Sequence, residues 1–511
     1  MSERYTPSSD DIKNYVNEYN YVPIKREIFS DVCTPIQALK RLKGVSDHVF
    51  MLESVEDQKY WGRYTFLGFN PRLCITCLDG RLTVARDDGT VIDDLKIKHP
   101  GEYIKDTVKE YKSPRLRDFP TFTGGLVGYF AYDYIKYSEP SLNLDAKDEE
   151  HFKDVDLMLF DKVIAFDNIK QKIAVIANVN IADRQTILLR GTDGFKPDMA
   201  FIEDNYNKAV RDIDSIVDII MHGEEADIPK GRLTSDYRAL FDKEQFCEMV
   251  EKGKKYICEG DIFQVVLSNR LEADFEGSLF DTYRMLRTIN PSPYMFYFSG
   301  DDIEVAGASP ETLVKLNDNI LHTFPLAGTR RRGKDEKEDK ELEAELLADE
   351  KERAEHNMLV DLGRNDIGRI SEFGSVKVEK YMSVERFSHV MHIGSTVRGT
   401  LKKGLTQIEA VDAILPAGTL SGASKIRACE IINELEKNKR GIYGGAIGYI
   451  DFMGNLDTCI AIRIAFKKNG RVFVRSGAGI VADSVPENEY EECLNKAKAV
   501  MTAIEQAGKT D

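Results

Sequence analysis

The sequence lacks any long run of apolar residues. No stretch approaches the roughly 18 consecutive apolar residues that a membrane-spanning helix needs, and the first residues, MSERYTPSSDD, lack the basic and then apolar pattern of a signal peptide. With 42% apolar and 31% charged residues over 511 positions, the composition excludes disordered and collagen-like chains and provides enough material for a core. We therefore predict a cytoplasmic protein without a membrane segment.

Cysteines are few, and basic residues are outnumbered by acidic ones, 70 to 86. The eight cysteines are scattered without regular spacing, which excludes a disulfide scaffold. The one CxxC pair, Cys74 and Cys77, lies in a strand-like run without a second pair or a histidine cluster, so a zinc site is not favoured. A formal net charge of −16 repels polyphosphates and argues against nucleic acid as a partner. The negative charge does not exclude a small anionic substrate, provided that a cation bridges it to the protein.

The local patterns indicate two intertwined halves. Residues 8–19 predict an amphipathic helix, and short β-rich runs over residues 48–95 predict an antiparallel sheet. The polar stretch 222–237 contains a proline and a glycine and is the best candidate for a boundary. We therefore predict an N-terminal domain over residues 1–225 and a C-terminal domain over residues 235–505.

Patterns in the C-terminal half predict paired strands and a charged helix. Residues 441–481 contain three strand-like runs, GIYGGAIGYIDF, LDTCIAIRIAF and RVFVRSGAGIV, separated by turns. GGAIGY at 444–449 resembles GGLVGY at 124–129, which indicates either two equivalent strands in facing sheets or a coincidence of glycine-rich strands. Residues 334–358 predict one highly charged helix with a solvated face.

Arg463 is a candidate for binding an anion. It lies between Ala461 and Ala465 on one face of a predicted strand, where a guanidinium needs an anionic partner. Glycines in the neighbouring predicted strands would let a ligand reach backbone amides. Two interpretations stay open from the residues alone: a floor for a substrate carboxylate, or a structural ion pair beside strand bends.

Two pairs of glutamates are candidates for a metal site. Glu352 and Glu355 are three residues apart, as are Glu489 and Glu492, so each pair falls on a single helix face. Such pairs usually face water. If the two helices met, their carboxylates would instead form an oxygen site of the kind that Mg²⁺ prefers.

Two further residues are candidates for proton transfer. Glu311 follows Ser-Pro at a predicted strand end, where partial burial would raise the pKa of its carboxyl and suit it to donate a proton. His392 lies in an apolar run, where a histidine is more often a core residue than a base. The sequence shows no Walker loop, dinucleotide fingerprint, Gly-x-Ser-x-Gly elbow or zincin helix.

A series of longer motifs follows one order along the chain. They are GDIFQVVLS, NPSPYMFYF, GASPETLV, PLAGTRRRG, ERAEHNMLVDLGRND, HVMHIGSTVRG, LPAGTLSGASKIRA, YGGAIGYID, IAIRIA and GAGIVADSVPENEYEE. In this order they resemble the chorismate-utilising enzymes, and among them the anthranilate synthase component I (large subunit) family. The resemblance is densest over residues 257–500 and weaker over residues 50–135. It implies an α+β fold of antiparallel β-sheets packed as a sandwich, with outer helices and the active site in the cleft.

The resemblance implies a Mg²⁺-dependent site for chorismate. Glu355 and Glu492 resemble the direct Mg²⁺ ligands, and Glu352 and Glu489 resemble the residues that hold metal-bound water. The positions that resemble substrate-binding residues are Gly328 and Thr329 for the ring carboxylate, and Tyr443, Arg463, Gly477 and Gly479 for the enolpyruvyl carboxylate, with Lys496 adding charge nearby. The resemblance thus favours the carboxylate floor for Arg463.

The resemblance also implies ammonia as the nucleophile. Isochorismate and salicylate synthases carry a lysine base where this chain has Gln264, and aminodeoxychorismate synthases carry a nucleophilic lysine where it has Ala327. In the implied mechanism Glu311 protonates the leaving C4 hydroxyl of chorismate as ammonia attacks C2. His392 then removes the C2 proton of aminodeoxyisochorismate, and pyruvate leaves to give anthranilate, the first committed step of tryptophan biosynthesis. Thr419 would orient substrate or water near the ring.

A partner subunit and a feedback inhibitor are implied as well. No cysteine lies in the glycine-flanked elbow of a glutaminase, so ammonia would come from glutamine through a separate amidotransferase subunit, component II. LES at 52–54 and PSPYM at 291–295 resemble the two walls of a site for L-tryptophan. The residues of that implied site are Ser54, Pro293, Tyr294 and Met295. An ordinary turn and strand are the alternative.

Two rival functions stay open from the sequence. A synthase that stops at aminodeoxyisochorismate would retain pyruvate, and the presence of His392 argues against it. A catalytically inactive homologue would bind tryptophan and its partner as a sensor. The combination of both acidic pairs with Glu311, His392 and Arg463 argues against that second rival.

Overall fold

Two antiparallel β-sheets dominate the computed structural model, which describes residues 4–54, 62–190, 192, 197–386 and 390–509. The strands are β1 (Tyr21–Phe29), β2 (Val49–Glu53), β3 (Tyr64–Phe69), β4 (Leu73–Leu78), β5 (Arg81–Ala85), β6 (Val91–Lys96), β7 (Gly125–Phe130), β8 (Val155–Phe160), β9 (Lys162–Asp167), β10 (Lys172–Asn180), β11 (Arg232–Leu233), β12 (Arg238–Ala239), β13 (Gln264–Glu276), β14 (Tyr294–Ser299), β15 (Glu304–Ser309), β16 (Thr312–Asn317), β17 (Ile320–Thr323), β18 (Leu326–Arg331), β19 (Lys377–Arg386), β20 (Val390–Thr400), β21 (Gly422–Ala423), β22 (Ala446–Asp451), β23 (Leu456–Ile460), β24 (Ile464–Lys468) and β25 (Arg471–Ile480).

Helices cover the outer faces of these sheets. They are α1 (Ser9–Ile12), α2 (Pro35–Lys43), α3 (Pro100–Glu110), α4 (Ile135–Ser138), α5 (Arg184–Leu189), α6 (Met199–His222), α7 (Lys243–Cys258), α8 (Phe280–Ile289), α9 (Glu336–Ala348), α10 (Glu350–Ile370), α11 (Gln407–Ile414), α12 (Lys425–Glu436) and α13 (Pro486–Ala507). None of the helices in the described ranges has both the length and the apolar character needed to cross a bilayer.

Strands from distant parts of the chain alternate in both sheets. The first sheet has the order β1-β10-β9-β3-β2-β14-β15-β24-β25-β13-β11, with β12 and β21 also paired to β13. The second has the order β18-β20-β17-β16-β23-β22-β7-β8-β4-β5-β6, with β19 paired to β20. The β-rich runs predicted near the N-terminus therefore form strands, but β2 and β3 join the first sheet while β4 to β6 join the second. The predicted domain boundary stays a prediction.

The two sheets pack face to face around an apolar layer. This layer joins Phe50 and Phe298 of the first sheet to Val127 and Met158 of the second, all of them buried. A second apolar cluster packs α2, α6, α8 and α13 against the outer face of the first sheet, and a third packs α3, α10 and α11 against the outer face of the second. The predicted α+β sandwich with outer helices is confirmed.

The C-terminal tail differs from its prediction because the chain changes sheets within LDTCIAIRIAF. β23 pairs with β22 and β16 in the second sheet, whereas β24 pairs with β15 and β25 in the first. Arg463 lies in the crossing between them with a φ of 52°, in the left-handed region. The predicted single strand with Arg463 on its face is therefore wrong. The alternating isoleucines suggested one continuous strand. Ile460 before the crossing and Ile464 after it are both buried, but they belong to strands of different sheets.

The two similar glycine motifs lie in adjacent strands, not in facing sheets. β7 pairs with β22 in the second sheet, and Gly128 lies directly opposite Gly448. A Cβ atom at Gly128 would lie 2.1 Å from the carbonyl oxygen of Asp156, and one at Gly448 would lie 2.0 Å from that of Asp457. The glycines thus allow neighbouring backbones to approach closely.

Three smaller predictions are adjusted by capping and side-chain direction. The charged segment forms two helices, because Asp349 ends α9 and its side chain accepts hydrogen bonds from the amides that begin α10. The N-terminal helix is shorter than predicted: Ser8 caps α1, and a 3-10 turn follows it. Cys74 joins the layer between the sheets and Cys77 the outer cluster. The two thiols therefore point to opposite faces of β4 and cannot bind one ion together.

Candidate active site

One cavity of about 1020 Å³ opens between α10, α13, the crossing segment and the strands β13, β18, β20 and β25. It brings together predicted site residues that are up to 185 positions apart in the sequence, from Glu311 to Lys496. The predicted catalytic, substrate-binding and metal-binding residues that line it are Glu311, Gly328, Thr329, Glu352, Glu355, His392, Thr419, Tyr443, Arg463, Gly477, Gly479, Glu489, Glu492 and Lys496. The cavity is therefore the candidate active site.

The two acidic pairs enter this cavity from the first two turns of two helices. Glu352 and Glu355 are the third and sixth residues of α10, and Glu489 and Glu492 are the fourth and seventh residues of α13. The helix dipoles favour negative charge in each first turn, where Glu352 and Glu489 lie. Burial and the charge of Glu352 raise the pKa of Glu355. Burial also raises the pKa of Glu489, and the charge of Glu492 adds to it. Four carboxylates that repel one another across a half-buried cavity form an electrostatic environment that suits a cation.

The oxygen donors of these glutamates fit Mg²⁺ in their chemistry. Glu492 forms an ion pair with Lys496 at 2.7 Å, and Glu352 accepts a hydrogen bond from Nη1 of Arg330 at 3.3 Å. Among the described residues, no group of three or more acidic, histidine or cysteine side chains is already gathered closely enough to hold a metal ion. The glutamates thus supply suitable ligands but not a closed coordination sphere.

A second part of the cavity wall, on β25, is suited to a carboxylate. Gly477 and Gly479 lie on β25, where a Cβ atom would come within 3.1 Å of the Tyr443 hydroxyl at Gly477 and within 2.5 Å of the Gln264 amide nitrogen at Gly479. Nζ of Lys496 donates a hydrogen bond to the carbonyl of Gly477 at 3.1 Å. Gly477 and Gly479 therefore present backbone to the cavity, and a side chain at either position would collide with β13.

Arg463 faces this floor from the crossing segment. Its Nη1 donates a long hydrogen bond of 3.4 Å to Oδ1 of Asn290, and burial lowers the pKa of its guanidinium, while the charge of Glu311 opposes that shift. Within the described part of the chain, no carboxylate forms an ion pair with Arg463. The structural ion pair that was the alternative from the sequence does not form among the described residues, and the binding of a substrate carboxylate by Arg463 stays a prediction.

Glu311 is poised to donate a proton near neutral pH. Burial raises the pKa of its carboxyl to about 7, although a hydrogen bond from Thr419 and the charges of Lys496 and Arg463 lower it. Oγ1 of Thr419 donates to Oε1 of Glu311 at 3.1 Å. At neutral pH the carboxyl is thus close to half protonated.

His392 is held in an orientation that suits a base. Its Nδ1 lies 2.7 Å from the carbonyl oxygen of Gly328 and 3.1 Å from Oγ1 of Thr329. Gly328 reaches this position because the pairing of β18 with β20 is irregular between Ala327 and Arg330. Burial lowers the pKa of the imidazole, so the ring is neutral at pH 7. A proton on Nδ1 that is donated to the carbonyl leaves the lone pair on Nε2.

Two supporting groups were missed by the sequence reasoning. Arg330 contacts Glu345, Asp349 and Glu352 and so fixes one end of the acidic helix; the run of three arginines in LAGTRRRG was its signal. A buried cluster of Glu436 with two arginines lies beneath Tyr443. Its members are Glu436, Arg440 and Arg475, with ion-pair distances of 2.6 and 2.8 Å and the Arg440 guanidinium 5.9 Å from the Tyr443 ring. Only the i, i+4 spacing of Glu436 and Arg440 hinted at it.

The residues of the implied tryptophan site lie outside this cavity. The register of β2 on β14 places Met295 opposite Glu53, so Ser54 lies beside Tyr294 at the end of both strands. The Tyr294 hydroxyl donates to Oδ1 of Asp457 at 2.8 Å. Tyr294 packs beside the layer between the sheets, whereas Met295 is buried in the outer cluster. The structure thus brings Ser54 and Tyr294 together and turns Met295 to the other face of the strand.

Comparisons with known proteins agree with this arrangement. The model of a family described as chorismate binding enzyme matches residues 53–502. Over 507 residues the chain is 44% identical to anthranilate synthase component 1 of Acetivibrio thermocellus, covering 99% of each chain. It is 43% identical to the protein of the same name from Aquifex aeolicus, covering 98% of each. The crystal structure of anthranilate synthase component I from Streptococcus pneumoniae aligns with a TM-score of 0.73 at 38% identity, over 93% of this chain and 98% of that one.

Proposed function

The chain belongs to the family of chorismate binding enzymes, and we propose that it is the component I of an anthranilate synthase, which converts chorismate and ammonia to anthranilate and pyruvate. The observation that carries the proposal is the single cavity lined by two acidic pairs, a buried acid, a neutral histidine and an arginine without a carboxylate partner among the described residues. Relatives that cover nearly the whole chain at 43–44% identity carry this name.

The two carboxylates of chorismate would bind at opposite sides of the cavity. Arg463, the hydroxyl of Tyr443 and the glycine strand β25 form the side proposed for the enolpyruvyl carboxylate. Gly328 and Thr329 form the side proposed for the ring carboxylate, next to Mg²⁺ held by Glu355 and Glu492, with Glu352 and Glu489 holding its water. Bound there, Mg²⁺ would supply positive charge that withdraws electrons from the ring through that carboxylate.

In the first stage ammonia attacks C2 and the C4 hydroxyl leaves. Glu311 donates its proton to that hydroxyl as the C4–O bond breaks, which a carboxyl with a pKa of about 7 performs near neutral pH. Thr419 holds the carboxyl in place through its hydrogen bond. Gln264 and Ala327 line the same cavity, so neither of the two lysines that direct related enzymes to water or to a covalent intermediate is present. Ammonia needs no activating base.

In the second stage aminodeoxyisochorismate loses its C2 proton and pyruvate. The Nε2 lone pair of His392 accepts that proton, because its Nδ1 is held by the carbonyl of Gly328. The ring then becomes aromatic as anthranilate. A neutral imidazole is required for this step, and the lowered pKa of His392 provides it.

Ammonia would be supplied by a glutamine amidotransferase subunit. A glutaminase thiol needs a lowered pKa, whereas burial raises the pKa of seven of the eight cysteines in this chain. L-tryptophan would act as a feedback inhibitor at the end of β2 and β14, where Ser54, Pro293, Tyr294 and Met295 lie. That position is separate from the catalytic cavity, so inhibition would be allosteric.

The test uses the purified chain alone with chorismate, Mg²⁺ and an ammonium salt at mildly alkaline pH, and follows anthranilate fluorescence and pyruvate release. We expect anthranilate to form, EDTA to abolish it and tryptophan to reduce it. Consumption of chorismate without fluorescence or pyruvate would indicate an enzyme that stops at aminodeoxyisochorismate. If chorismate is not consumed with either ammonium or a partner amidotransferase and glutamine, the proposed function is wrong.

A further inference from the structure

A second and smaller cavity lies directly behind Glu311. We call it the rear cavity; it shares Glu311, Thr419 and Leu359 with the catalytic cavity. Its other walls come from α10, from the end of α11 and from the segment between β17 and β18. About 40 Å³ of it is open to the centres of water-sized molecules. Because one water needs about 10–15 Å³ by this measure, the rear cavity has room for about three or four waters.

Two groups of polar side chains line the rear cavity. One consists of the carboxyl of Glu311 and the hydroxyl of Thr419, which are joined at 3.1 Å. The other is Asp366, which is 6% exposed and pairs with Nζ of Lys425 at 2.8 Å. That Nζ also donates to the carbonyl of Ile414 at 2.9 Å. A buried water needs two to four polar partners, and these two groups provide them.

We propose that the rear cavity holds the water through which Glu311 recovers its proton in each turnover. The proposal rests on the proposed function, in which Glu311 protonates the leaving hydroxyl. The proton of Glu311 leaves with that hydroxyl as water, and the carboxylate takes up a proton from solvent through the waters of the rear cavity. The ammonium group formed at C2 releases one proton to solvent, so the protons balance over the first stage. Bound chorismate would occupy the catalytic cavity beside the Glu311 carboxyl, so water would reach the carboxyl from the rear cavity.

The alternative use of the rear cavity is the passage of ammonia to the catalytic cavity. We favour water because the carboxyl that must regain a proton lines the cavity, and because a second buried carboxylate, that of Asp366 in its ion pair with Lys425, lines it as well. The two uses differ in kinetics: restricted proton supply lowers kcat, whereas restricted ammonia passage raises the KM for ammonium.

Gly363 offers a way to fill the rear cavity. A Cβ atom at this position of α10 would lie 3.1 Å from Cγ2 of Thr323 and 3.5 Å from Cγ of Pro325, and both of these residues line the cavity. Gly368 lies on the same helix, and a Cβ atom there would meet nothing within 4 Å. The variants Gly363→Ala and Gly363→Val therefore fill the cavity in steps, and Gly368→Ala is the matched control.

The measurement is kcat for anthranilate formation in H₂O and D₂O at saturating chorismate and ammonium, with KM for both substrates. We expect Gly363→Val to lower kcat about tenfold, which is a fraction of the full effect of a general acid. The solvent isotope effect on kcat should increase, and both KM values should stay within about twofold of wild type. Gly363→Ala should lie between it and wild type, and Gly368→Ala should match wild type.

An unchanged kcat and isotope effect in Gly363→Val would overturn the proposal, and so would a raised KM for ammonium with an unchanged kcat. Circular dichroism establishes that the variants fold. An independent arm needs no variant: a high-resolution crystal structure of the wild-type chain should show at least two ordered waters between Glu311 and Asp366, and a dry cavity would contradict the proposal. If wild type makes no anthranilate with ammonium or with a partner amidotransferase and glutamine, the proposed function fails, and the crystallographic arm still decides whether the cavity holds water.

Discussion

Replacing Thr419 by valine tests the assignment of Glu311 as the general acid. Burial raises the pKa of Glu311 to about 7, and the hydrogen bond from Thr419 is the first of the influences that lower it. Valine keeps the branched shape of threonine but removes the donor. We therefore expect the pKa of Glu311 to rise in Thr419→Val.

The size of this shift follows from the hydrogen bond that is lost. A hydrogen bond to a charged group contributes roughly 1.5–3 kcal/mol. If about half of that distinguishes the ionised from the protonated carboxyl, the pKa rises by about one unit, because one unit corresponds to about 1.4 kcal/mol. Arg463 and Lys496 keep their charges and continue to oppose a larger rise.

The assay measures kcat/KM for chorismate from about pH 6 to about pH 9.5 in wild type, Thr419→Val and Thr419→Ser, because this parameter reports the groups of the free enzyme. The kcat/KM of each variant is divided by that of wild type at the same pH, and this ratio is free of the pH dependence of ammonia itself. We expect the ratio for Thr419→Val to be constant at low pH, where Glu311 is protonated in both proteins. Above pH 8 this ratio should rise toward about ten times its low-pH value. The serine ratio should stay flat because serine keeps the donor. A valine ratio that is flat or falls at alkaline pH would refute Glu311 as the acid.

The remaining predictions concern three other residues. His392→Ala should still aminate chorismate but lower anthranilate formation about 10²- to 10⁴-fold, with aminodeoxyisochorismate accumulating in chromatograms; undiminished fluorescence would contradict its role. Arg463→Gln should raise the KM for chorismate about 10- to 100-fold through loss of a charge-assisted hydrogen bond, whereas a lowered kcat at unchanged KM would contradict a binding role. His48 lies 2.7 Å from Asp87 and 2.8 Å from Asp301, and a hydrogen bond to Asp301 is the main cause that raises its pKa above 6.5. A histidine whose pKa rises on folding stabilises the fold fully below its unfolded pKa and loses that contribution as pH rises through the folded value. His48→Gln should therefore lower the free energy of unfolding by about 1 kcal/mol at pH 5.5 and have little effect at pH 9, as measured by chemical denaturation; an equal effect at both pH values would count against the ion pair.

The sequence was informative where a local period decides the structure. The spacing of three between Glu352 and Glu355, and between Glu489 and Glu492, was enough to place each pair on one helix face. The residue spacing within each helix does not indicate that α10 and α13 border the same cavity, because that depends on how the two helices pack on the sheets. The order of the longer motifs supplied this information through family resemblance.

Arg463 shows why part of the site was not predictable from pattern alone. Isoleucine recurs at positions 460, 462 and 464, from β23 into β24. A period of two indicates which face of a strand a side chain lies on, but not which sheet the strand joins. The same limit explains the glycine motifs. Gly128 and Gly448 were recognised as similar, but only pairing over more than 300 positions makes them neighbours instead of facing residues.

The alternation of distant strands in both sheets has a consequence for synthesis in the cell. β7 pairs on one side with β8, which emerges soon after it, but its other edge waits for β22. At about 5–20 residues per second, the roughly 300 residues between them take about 15–60 s to translate. During that time the edge of β7 exposes unpaired backbone groups, which are a template for wrong pairing. The nascent chain therefore depends on shielding of this edge until nearly nine tenths of its length has been made.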